Sequence, residues 1–144
     1  MAIGLLTVCL SSPLSGQAAA DTYADVDFVR ATHAGDGQWR FDVTVSHTDT
    51  GWDNYADRWQ VVDPTTDTVL GERVLLHPHV NEQPFTRSLG DVPIPPDVHL
   101  LVVRARTNVT AYHGRQVEVD LRVAAAERFA VERGDAPEAR PPAR

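Results

Sequence analysis

The sequence contains no lysine, and its single cysteine is Cys9. The missing lysine removes Schiff-base chemistry and the lysine of a phosphate-binding loop. From residue 21 onward the missing cysteine removes disulfides, a thiolate nucleophile and Cys-ligated metals or clusters. All 13 basic residues are arginines scattered singly, and the net charge is -7. That balance lacks the basic footprint by which nucleic-acid binders hold phosphates, so no nucleic-acid partner is expected. Long apolar runs are absent too: Met1–Leu10 is too short for a bilayer, which takes about 20 residues, so no transmembrane span is expected. There is no Gly-x-Ser-x-Gly elbow, and the glycines sit singly in turns. Ser46 and His47 are strand neighbours, whose side chains leave on opposite faces, so they do not start a triad. The expectation is a protein that is not an enzyme.

What is present begins with an uncharged stretch of twenty residues. Met1–Leu10 is apolar, small and polar residues follow, and Ala18-Ala19-Ala20 precedes Asp21. This is the order of an apolar segment followed by a small-x-small cleavage site. Residues 1–20 are read as a signal peptide, and the mature chain as periplasmic or secreted. No arginine precedes the apolar run, which leaves room for a true start upstream. Leu6-Thr7-Val8-Cys9 also allows a lipoprotein reading, although Val8 stands where a small residue is wanted.

The remainder alternates in short runs punctuated by turns about every ten residues, as in a sandwich or barrel. Trp39, Phe41, Val43 and Val45 share one face, and Arg40, Asp42, Thr44 and Ser46 the other. This period of two, with one wet face, predicts an antiparallel strand over Trp39–His47. Val117–Val123 alternates in the same way. Further strands are expected at Tyr23–Ala31, Arg58–Val62, Thr68–Leu76, Phe85–Leu89 and Val98–Arg106. Turns fall at Ala34–Gly37, Asp63–Asp67 and Tyr112–Gly114. Pro93-Ile94-Pro95-Pro96 must lie on an edge or outside the sheet. Ala124–Val131 reads as a short helical turn, and the chain from Glu132 onward as a disordered tail. The domain plan is therefore a leader over 1–20, a β-sandwich over 21–123, and a helical turn with a tail over 124–144.

About seven short strands describe an all-β protein, a single antiparallel β-sandwich. The run Leu101-Val102-Val103-Arg104-Ala105, a short loop and a valine-rich last strand resemble the closing hairpin of immunoglobulin-like and fibronectin-III-like domains. The chain departs from that pattern in having no cysteine pair, and in placing Trp39 at the start of its strand. Gly51-Trp52-Asp53-Asn54-Tyr55-Ala56-Asp57 and Leu76-His77-Pro78-His79-Val80 resemble segments of short exported bacterial proteins of unknown function. That resemblance implies export and supplies no activity.

Two constellations carry candidate chemistry. His77-Pro78-His79 puts two imidazoles on one side of an extended segment, a start for a copper or zinc site. His47 is the third expected ligand, with His33, His99, His113 and Glu82 as further candidates; against this stands a solvated turn and a hydrogen-bonded rim position for His47. Asp49, Trp52, Asp53, Asn54, Tyr55 and Asp57 mix aromatic rings with carboxylates, as carbohydrate or cationic-ligand sites do. Their spacing does not fit a calcium loop. Against a binding role stands the reading that Trp52 and Tyr55 cap the core. The surface expected to meet an envelope protein or small ligand is thus Trp52, Asp53, Tyr55 and Asp57, beside His77–His79. A metal-binding protein is the alternative, and a carbohydrate-binding module or hydrolase the third reading. The tripeptides Asn108-Val109-Thr110 and Arg133-Gly134-Asp135 are too short to assign a function.

Overall fold

The computed structural model describes residues 22–134. Within them the chain forms eight strands and no helix: β1 Asp25–Gly35, β2 Gln38–Ser46, β3 Ala56–Asp63, β4 Thr68–Val74, β5 Phe85–Pro93, β6 Leu100–Thr107, β7 Val117–Asp120 and β8 Phe129–Arg133. One sheet runs in the order β5-β2-β1-β8 and the other β4-β3-β6-β7. The two pack face to face as a β-sandwich. The alternation that defines each strand builds the core: Trp39, Phe41, Val43 and Val45 of β2 face Trp59 and Val61 of β3, all of them buried. Leu101, Val103 and Ala105 of β6 complete the second inner face.

Two expectations are corrected at the C-terminal side. Residues 124–131 form no helix: a turn leads into β8, which pairs with β1 in parallel, Val29 opposite Phe129 and Ala31 opposite Val131. Alanine's helix propensity at positions 124–126 is overridden because Phe129 and Val131 can extend the first sheet. The sandwich therefore reaches Arg133, has eight strands, and contains one parallel pair in an otherwise antiparallel set. Residues 1–21, with the expected leader, and the tail beyond Gly134 lie outside the described residues. No helix among the described residues is long and apolar enough to cross a membrane.

The strand order decides what lies at each end. Asp25 pairs with Ser46, Phe85 with Val45, Val74 with Arg58 and Thr107 with Ala56. The β2–β3, β4–β5 and β6–β7 connections therefore emerge together, alongside the start of β1. At the opposite end the β1–β2 and β3–β4 turns are tight. Their positive φ angles fall on Gly35, Asp36, Gly37 and Asp67, residue types that tolerate this backbone region.

Candidate functional site

The three-connection end is organised around one buried carboxylate. β2 keeps its inward parity past its last paired residue, so His47 and then Asp49 point into the sandwich, both side chains wholly out of solvent. Asp49 Oδ1 accepts from His47 Nδ1 at 2.7 Å and from the Ala56 N–H at 2.9 Å. Its Oδ2 accepts from the His79 N–H at 2.8 Å. One side chain thus ties the end of β2 to the start of β3 and to the β4–β5 connection. Gln83 adds a second tie: Oε1 accepts from His47 N–H and Nε2 donates to the His79 carbonyl. Burial alone would push the Asp49 carboxyl up; the three hydrogen bonds outweigh it and hold it below its usual 3.8.

The Trp52 loop hangs from this base. Gly51, with φ of 138°, opens a turn closed by the Asn54 N–H on the Gly51 carbonyl. Trp52 and Asp53 occupy its tip. Asn108, from the β6–β7 connection, clamps it: Oδ1 accepts from Tyr55 N–H and Nδ2 donates to the Trp52 carbonyl, both at 3.0 Å. The result is an exposed tryptophan on an ordered loop. Trp52 is 66% exposed and meets Tyr55 edge-to-face at 5.6 Å. Val109 beside the clamp is 60% exposed, and Leu76 and Val80 on the β4–β5 connection are 76% and 52% exposed.

The expected surface residues separate here. Trp52, Asp53 and Tyr55 lie on the loop, and His77–His79 lies at the same end, as read from sequence. Asp57 does not belong with them. It is buried, its two oxygens accepting from Arg106 Nε and Nη2 at 3.1 and 3.3 Å. The reading failed because the partner of Asp57 lies on β6, far away in sequence. Trp52 and Tyr55 do not plug the core; that place is taken by Trp59 and Phe85.

The expected metal ligands are brought near one another without forming a ligand set. The His77 and His79 rings are 4.5 Å apart, and His79 also stacks on Phe85 at 3.8 Å. Arg87 Nη2 donates to His79 Nε2 at 2.9 Å, so a guanidinium stands where a cation would have to bind. His47 spends Nδ1 on Asp49, and the His77 Nδ1 bonds the Pro78 carbonyl at 3.0 Å. Among the described residues no three His, Cys, Asp or Glu side chains are arranged to hold a metal ion. Burial, then the charges of Arg87 and His77, hold His79 below its usual 6.5 against the opposing pull of Glu82 and Asp49.

Two contributors escaped the sequence reading. Asp49 looked like a solvated loop acid, although its parity with His47, two residues earlier, was the available signal. Asn108 was met only as part of a three-residue motif, and nothing local marks it as a clamp.

No family model matches the chain. No solved structure matches it. A protein of Halomicrobium mukohataei named "Putative lipoprotein" is 39% identical over 114 residues, which are 79% of this chain and 54% of that protein. The chain thus spans about half the length of the curated relative it matches.

Proposed function

We propose that this chain is an exported, non-catalytic interaction module of the cell envelope, and that the Trp52 end is its partner-binding surface. The observation that carries this is Trp52, two-thirds exposed on a loop fixed from below by Asp49 and from the side by Asn108. An aromatic held out at little further entropic cost is the usual anchor of a binding surface. Val109, Leu76 and Val80 extend the apolar area, and Asp53 gives it a charged rim. Export is supported by the small-x-small boundary before Asp21 and by the similarity to a protein named as a lipoprotein. The immunoglobulin-like reading is supported by the strand order and by Trp59, fully buried on the third strand, where such sandwiches keep a core tryptophan.

Site-specific photo-crosslinking in the producing cell tests the proposal. A crosslinker replacing Trp52 should trap a defined envelope partner, while one at Thr66, in a turn at the opposite end, should not. Equal trapping at both positions, or none at either, would remove the assignment.

A further inference from the structure

We propose that the gap between edge strands β4 and β5 is a binding site for a single oxyanion group, a carboxylate or phosphate, held by Arg73 and Arg87. The two strands are the facing edges of the two sheets. Gly71 lets them close, since a Cβ there would meet Leu89 and Val92 side-chain atoms at 3.1 Å. Two residues further along β4, the same inner face presents Arg73, which is paired with the inward-facing Trp59. Across the gap β5 presents Arg87, paired with the inward-facing Val43. Two arginines therefore occupy inner-face positions where the strand pattern calls for apolar side chains. Between them lies a cavity of about 70 Å³, lined also by Leu75, Leu76, His77 and His79. That is room for one small group, given that a water molecule takes about 30 Å³.

The pair is only partly neutralised by what surrounds it: Arg87 has an ion-pair partner in Glu82, and Arg73 has none among the described residues. Arg73 Nε is shut off from solvent and has no hydrogen-bond partner, and Trp59 Nε1, on its cross-strand neighbour, is in the same condition. Buried donors are nearly always satisfied, and a guanidinium left unpaired is the costlier case. Arg87 donates to His79 Nε2 and to the Thr86 carbonyl, and pairs with Glu82 through two long bonds of 3.4 and 3.5 Å. Glu82 is 58% exposed and sits on the solvent side. Asp49, a buried carboxylate at the same end, is already committed to three donors. A planar or tetrahedral oxyanion in the cavity would supply the acceptors that the fold omits, and guanidinium forks match that geometry. This site borders the Trp52 surface at Leu76 but rests on the two arginines and not on that assignment.

The test uses arginine Nε–Hε resonances of the 144-residue chain, titrated with acetate, inorganic phosphate and a short acidic peptide against sodium chloride at matched ionic strength. Saturable shifts at Arg73 and Arg87, weakened at least tenfold in both Arg73→Gln and Arg87→Gln, are expected. A peptide binding at least tenfold tighter than acetate would assign the oxyanion to a protein side chain; equal affinity would assign it to a free small anion. Shifts that track chloride, or that survive either substitution, would overturn the site. Arg73→Lys keeps the charge without the fork, and should weaken binding less than Arg73→Gln.

Discussion

The two ends of this sandwich each carry a tryptophan, and they treat it in opposite ways. Trp39, where β2 begins, is 5% exposed; His33 lies against it at 4.9 Å and the Arg133 guanidinium covers it at 5.7 Å. Its end carries tight turns, and Pro95 and Pro96 lie beside it across a cleft of about 290 Å³. Trp52, at the other end, is raised into solvent by a loop whose backbone is clamped from two sides. The first ring contributes to holding the fold; the second contributes almost nothing to it. An exposed tryptophan on a floppy loop would be unremarkable, whereas here a buried carboxylate and an asparagine amide are committed to keeping it in place. The difference separates a tryptophan buried in packing from one held out in solvent.

Substitutions at the two ends should divide accordingly. Trp39→Ala should be the most damaging, lowering stability by about 3–5 kcal/mol, as large-to-small changes in a packed core do. Urea unfolding would show this as a lower midpoint at unchanged slope. Asp49→Asn keeps the shape but turns an amide NH₂ toward groups that already donate, and should cost about 1–3 kcal/mol. Acid should reveal the same carboxylate. Because His79 and Asp49 both have folded pKa values below their usual ones, the unfolded chain takes up protons first. The stability they contribute is complete above about pH 6.5; the His79 part declines below that point, and the Asp49 part declines below about pH 4. Melting temperatures across this range should fall in two limbs, the lower one flattened in Asp49→Asn. Smallest of all, Trp52→Ala should change stability by no more than about 0.5 kcal/mol. A loss comparable to that of Trp39→Ala would mean that Trp52 is a packing residue after all.

How far the sequence reveals this depends on the range of the interactions involved. Strand β2 was expected at Trp39–His47 and is found at Gln38–Ser46, because alternation is written into consecutive residues. The last hairpin and the turns were legible for the same reason. Strand β8 was not: its apolar residues are few, and what makes it a strand is the free edge of β1, more than ninety positions away. The candidate site divides on the same line. That Trp52, Tyr55 and His77–His79 share an end could be read from the strand pattern, since alternate connections of a sandwich meet. That Asp57 would be covered by Arg106, or His79 engaged by Arg87, depends on pairings between strands that no local pattern encodes. The inward arginines of β4 and β5 were hidden for a related reason. Inward-pointing charges are also a common guard on edge strands, so Arg87 with its nearby Glu82 attracts no notice until Arg73 is seen facing it alone.

The Trp52 end is suspended from Asp49 independently of the opposite end. Amide hydrogen exchange on the wild type and Asp49→Asn, residue by residue, tests it most directly. Markedly faster exchange is expected at Ala56, His79 and Asn54 in the variant, with Ile94, which bonds the Gly37 carbonyl at the far end, unchanged. Uniform acceleration at both ends, or none at Ala56 and His79, would contradict it.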